Sequence, residues 1–141
     1  METKALRVRN AIFWALVVIF VILLGIIFGL GRYFGFGRPP FHALISLAVI
    51  LFVLAIALVV LTAKLKESPL RKTFFILTGA SAAAIPICAV LHNVVYGLFF
   101  QGKDGDEAVF FILALFVFPA LFILGSLGSI VLVISDWFRK I

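Results

Sequence analysis

Four long apolar runs, at residues 11–30, 41–63, 73–100 and 108–135, organise this chain, and short polar segments separate them. Each run matches or exceeds the ~20 residues that a helix needs to cross a ~30 Å hydrocarbon layer. Helices are the expected form, because a segment in lipid must satisfy its own backbone hydrogen bonds. The pattern predicts an all-α integral membrane protein with four transmembrane helices. It is read as one domain over residues 1–141, an up-down-up-down bundle. The first run is too long for a signal-peptide core, and no small-x-small cleavage site follows it. It therefore reads as a retained first span.

The third run differs from the others, because polar side chains pass through its middle. On a helix of 100° per residue, Thr78, Ser81, Cys88, His92 and Tyr96 share about 80° of arc, with Asn93 beside them. As a straight helix this run is about 42 Å long, more than a ~30 Å crossing requires. Tilting, kinks at Pro86 and Pro119, or projection beyond the membrane are expected. Small residues at 79–84 and 125–129 allow close backbone contact between the third and fourth spans. Gly25 and Gly29 form a GxxxG spacing on the first, which reads first as close packing within the bundle and second as a candidate face for a homo-oligomer.

Charge sets the expected orientation. The chain is 65% hydrophobic and 13% charged, with a net charge of +6. A soluble domain of this size cannot cover so much apolar side chain. With the N-terminus inside, Lys4, Arg7, Arg9, Lys64, Lys66, Arg71, Lys72, Arg139 and Lys140 are cytoplasmic, and only Arg32, Arg38 and Lys103 lie outside. That bias predicts a multi-pass protein of the cell membrane with both termini cytoplasmic. The expected partners are the lipid bilayer and, at the cytoplasmic face, anionic lipids; nucleic acid is not expected. Trp14 and Trp137 would then mark the inner interface, and Tyr33 and Tyr96 the outer one. Arg32 and Arg38 sit in a Gly- and Pro-rich loop closed by Pro39 and Pro40, where interfacial anchoring is the favoured reading and binding of lipid headgroups or an anionic ligand the alternative. Cys88 is the single cysteine, which excludes an internal disulfide.

Ionisable side chains within a span are costly and mark candidate sites. His92 belongs to the outer part of the bundle, with His42 opening the second span on the same side. Asp104, Asp106 and Glu107 follow in the acidic loop. His42, His92, Asn93, Tyr96, Asp106 and Glu107 thus compose a candidate outward-facing vestibule, and Ser81 and Thr78 continue it inward. Three roles compete. His92, Asn93 and Tyr96 act as interhelical hydrogen-bonding glue, with Asp106 capping the fourth helix. Alternatively, they form a proton- or ion-linked site in a transporter or channel-like protein. The third role is metal or haem ligation by His42 and His92, which no ligand spacing supports, so no cofactor is expected. No nucleophile–base pair is legible, so an enzyme is not expected. Transport through an oligomer, and a non-catalytic subunit or scaffold, are the functional classes that remain.

Overall fold

The computed structural model describes residues 2–29, 33, 35 and 41–139, and among them it contains helices and no strands. Four of its helical segments are long and apolar enough to cross a membrane: Lys4–Ile27, Phe41–Lys64, Pro69–Phe100 and Val109–Ser135. The expectations placed on Arg32, Arg38, Pro39, Pro40, Lys140 and the side chains of Trp137 and Arg139 lie outside what is described.

Helix α1 (Glu2–Ile27) begins well before its apolar run. Lys4, Leu6, Arg7 and Arg9 are strong helix formers, so the basic segment simply extends the helix. It ends where Gly29 takes a φ of 70°, with its N–H bonded back to the Ile26 carbonyl at 3.1 Å. That left-handed residue closes the helix as glycine commonly does. Gly29 therefore stands outside α1, and the Gly25–Gly29 pair does not form one helical face. Helix α2 (Phe41–Lys64) is almost wholly aliphatic. Helix α3 (Pro69–Val95) starts on the Ser68 hydroxyl, which accepts the Arg71 N–H at 3.4 Å, with Pro69 in the first turn. It runs on into a π-helical turn, Tyr96–Phe100. Helix α4 is built of Val109–Ile112, a π-helical turn Leu113–Val117, and Phe118–Arg139.

The π-helical turn in α4 has a local cause. Pro119 lacks an N–H and its ring crowds the carbonyl four residues earlier, that of Leu115, which lies inside the widened turn. Pro86 behaves differently: α3 stays α-helical across it, and its π-helical turn comes later, at Tyr96.

Helix α3 is the hub, packing on α2 along one side and α4 along the other. Its buried residues Phe75, Ala82 and Ala83 meet Phe13, Leu16 and Phe20 of α1, Leu51, Ala55 and Leu58 of α2, and Phe122 of α4. The spacing of three and four residues gives each helix one inward stripe. Away from that stripe the spans expose large apolar side chains: Val21, Val53, Leu98 and Val131 are all more than half exposed. Hydrocarbon, not water, suits such a surface. The closest helix contacts cluster where the small residues predicted them. A Cβ on Gly79 would lie 2.7 Å from Val59 Cγ2 and 2.9 Å from the Ala55 carbonyl. One on Gly125 would lie 2.8 Å from the Thr78 amide nitrogen, and one on Gly128 would enter the Phe74 ring.

Candidate functional site

Polar groups gather in two places, one at each end of α3. At its far end His92 is half-buried, and its Nδ1 donates towards the Glu107 carboxylate (Oε2, 2.8 Å) and the Glu107 carbonyl (2.9 Å). Both neighbours are acceptors, so Nδ1 carries the proton. The other carboxylate oxygen of Glu107 accepts the Phe110 N–H at 2.8 Å, at the start of α4. Asp106 Oδ1 accepts the Glu107 N–H at 2.8 Å. This corrects the expected cap: Glu107, not Asp106, receives the helix amide, and the same carboxylate holds His92. Glu107 is only 6% exposed. Burial pushes its pKa up, but the Phe110 amide, the His92 ring and the Val109 amide together outweigh burial and hold the carboxyl below its ordinary value of 4.5. The imidazole packs against Phe111 at 5.4 Å between ring centroids and lies stacked with Tyr96 at 6.4 Å.

The other predicted residues separate into different environments. Thr78 and Ser81 are buried, and their hydroxyls bond carbonyls of their own helix: Thr78 to Phe74 at 2.9 Å, Ser81 to Leu77 at 2.6 Å. Asn93 is exposed and donates one N–H to the Ala89 carbonyl at 2.8 Å. Tyr96 is 41% exposed. Cys88 is buried. His42 is exposed at the start of α2, its carbonyl accepting from Ser46 Oγ at 2.9 Å, and no hydrogen bond joins its ring to the His92–Glu107 pair. The cluster thus contracts to His92 and Glu107, with Asp106 behind them. Among the described residues no group of three or more His, Cys, Asp or Glu side chains comes together as a metal-ligand set.

The second place was not anticipated. Arg9 is 1% exposed, although a cation of the first segment reads as a simple topological marker. Its Nη1 pairs with Glu67 Oε2 in the turn between α2 and α3, and its Nε and Nη2 donate to Asn10 Oδ1 at 3.1 and 2.8 Å. The guanidinium lies over the Phe75 ring, 3.9 Å from its centroid, a cation–π arrangement. Arg71 reaches the other Glu67 oxygen at 3.5 Å and donates to the Leu132 carbonyl of α4 at 3.3 Å. All four helices are therefore tied at this end by one carboxylate and two guanidinium groups. The signal was present in the sequence. Arg9 stands one turn before Phe13 on the stripe Phe13, Leu16, Phe20, and Glu67 is the only acid in its turn.

Two hollows lie among the described residues apart from these polar groups. A cavity of about 50 Å³ lies between the helices, walled by Phe20, Leu24, Leu51, Ile85, Leu115 and Pro119 among others. A groove of about 500 Å³ opens sideways between α2 and α3, walled by Ile45, Ala48, Val49, Phe52, Pro86 and Val90, with Asn93 at one end. Neither is lined by His92, Tyr96 or Glu107.

Comparison with protein-family models, with curated proteins and with solved structures found no match to this chain. What fold and site define is a class: an all-helical protein with four helices fit to cross a membrane, tied by a buried Arg9–Glu67 ion pair at one end of α3 and a His92–Glu107 hydrogen bond at the other.

Proposed function

We propose that this is a multi-pass membrane protein with cytoplasmic termini that works as a non-catalytic subunit or scaffold, binding in the plane of the bilayer. The orientation follows from charge. Lys4, Arg7, Lys64 and Lys66 are exposed at the Arg9 end, whereas Asp104 and Asp106 are exposed at the His92 end. The observation that carries the functional reading is the state of the polar stripe. Thr78 and Ser81 turn their hydroxyls onto carbonyls of their own helix, Thr78 where α3 closely approaches Gly125 of α4, and the groove of about 500 Å³ between α2 and α3 has apolar walls. A solute path needs polar side chains directed into a shared wet space. Here they serve packing.

The test is flux. Protein reconstituted into vesicles should dissipate proton, sodium and potassium gradients no faster than protein-free vesicles. Flux that disappears in His92→Ala, with the variant still folded, would sink this reading.

One observation favours the second reading, proton- or ion-linked transport. His92 and Glu107 are an ionisable pair beside the span ends, the kind of group that relays protons in transporters. Four spans make a thin wall for a pore, so this reading requires a homo-oligomer.

A further inference from the structure

The groove between α2 and α3 combines features that together describe an amphiphile. Its walls run over residues 45–52 of α2 and 86–93 of α3, about 10 Å along each helix at 1.5 Å per residue. A partner helix would contact the bundle over much of a ~30 Å crossing, so this hollow suits a slimmer, shorter guest. The walls are apolar except at one end, where Asn93 enters the lining. Asn93 uses one N–H on the Ala89 carbonyl, and its Oδ1 and second N–H have no partner among the described residues. An exposed amide about 10 Å short of the end of its span is costly in hydrocarbon unless a polar group meets it. His42 stands on the same face of α2 as Ile45, Val49 and Phe52, one turn beyond the groove. It is exposed, and its ring makes no hydrogen bond among the described residues.

We propose that this groove binds a glycerophospholipid of the leaflet on the His92 side. One acyl chain lies between residues 45–52 and 86–93. The Asn93 amide meets the glycerol-ester carbonyls, which accept its free N–H, and the His42 ring N–H donates to the phosphate. The order of polarity matches: phosphate outermost at His42, esters at Asn93, hydrocarbon along Val49, Phe52 and Pro86. The inference rests on the proposed reading of the bundle as a membrane-embedded binding protein. It adds the ligand that the binding face takes.

Site-specific photolabelling tests it. A benzophenone amino acid replaces Val90, an exposed groove residue, or Val131, an equally exposed residue of α4 away from the groove. The full chain is reconstituted in vesicles of phosphatidylethanolamine and phosphatidylglycerol, irradiated and weighed intact. Lipid adducts should form at position 90 in about fivefold excess over position 131, the scale of one hydrogen bond. Asn93→Leu should bring that excess close to parity, and His42→Phe, at an exposed helix start, should lower it while the helical content is unchanged. Equal labelling at the two positions, unaffected by Asn93→Leu, means ordinary boundary lipid and overturns the proposal. So does a crosslink from position 90 to a second copy of the chain. Solute flux lost in His92→Ala would instead overturn the proposed function and leave the labelling result standing.

Discussion

Arg9 of α1 and Glu67, in the turn before α3, form an ion pair that is closed off from solvent on both sides, with side chains 1% and 8% exposed. It joins positions 58 residues apart in the chain. Removing Glu67 leaves Arg9 buried without its counter-charge, a loss of ~3–5 kcal/mol in comparable pairs, whereas removing Arg9 leaves Glu67 still beside Arg71. Glu67→Gln is expected to lower stability by that order and Arg9→Met by less, measured by thermal unfolding in detergent micelles. Replacing both by methionine should recover most of the loss, because neither charge then has to be desolvated. A double-mutant cycle reads the coupling directly. Additive losses would show that the two side chains do not depend on each other.

The four spans were legible because span length and apolar composition are local properties. Residues 41–63 against Phe41–Lys64, and 108–135 against Val109–Ser135, differ by only a residue at the ends. The partnerships were less legible, since they depend on which faces meet. Arg9 was counted as a marker of orientation because its charge is local information and its burial is not. Its place on the stripe of Phe13, Leu16 and Phe20 was the available clue. The His92 cluster was found in outline, but its bonding turned on a single residue: Glu107 faces His92 and the α4 amides, and Asp106 does not. Nothing local distinguishes two adjacent acids in a loop. The π-helical turn at Tyr96 had no sequence signal; that at Leu113–Val117 had one in Pro119.

Close packing between α3 and its neighbours makes a sharp contrast among glycines. At Gly125 an added methyl would press on the Thr78 backbone, and at Gly79 on the Ala55 carbonyl, neither of which can rotate away. Alanine at either position should destabilise by ~1–3 kcal/mol, as overpacking does. At Gly97 an added Cβ meets nothing within 4 Å. Gly97→Ala should be neutral or slightly stabilising, given alanine's advantage of ~0.5–1 kcal/mol within helices. Thermal melts of the three variants side by side check the ranking.

Acid should loosen the His92 end in a defined direction. The Glu107 carboxyl is held below its ordinary value of 4.5, so its contribution to stability is fully present above that pH and is lost as pH falls through the lowered folded value. Glu107→Gln loses the ionised acceptor at every pH. The stability gap between wild type and Glu107→Gln should therefore shrink as pH falls below about 4.5, where wild type protonates too. Unfolding midpoints across an acid series, with hydrogen exchange at the Phe110 amide, report it. A gap that persists unchanged in strong acid would show that the carboxylate charge does not hold this end.

The polar stripe itself gives the sharpest distinction between packing and passage. Thr78 and Ser81 return their hydroxyls to the Phe74, Leu77 and Thr78 carbonyls of α3, and Thr78 Oγ1 lies against Gly125 of α4. Those carbonyls already accept the helix's own N–H groups, so the side-chain bonds are additions rather than necessities. Hydroxyl bonds between membrane helices average only ~0.6 kcal/mol. Thr78→Val keeps the shape that fits Gly125 and is expected to change stability by less than about 1 kcal/mol. Ser81→Ala removes one oxygen from a dry seam at a similar cost. Both variants should retain the photolabelling pattern at Val90, because neither residue lines the groove between α2 and α3 and their hydroxyls bond carbonyls of their own helix. If either substitution instead abolishes a measured ion or proton flux while the melting temperature holds, the hydroxyls line a path, and the packing role assigned to them fails.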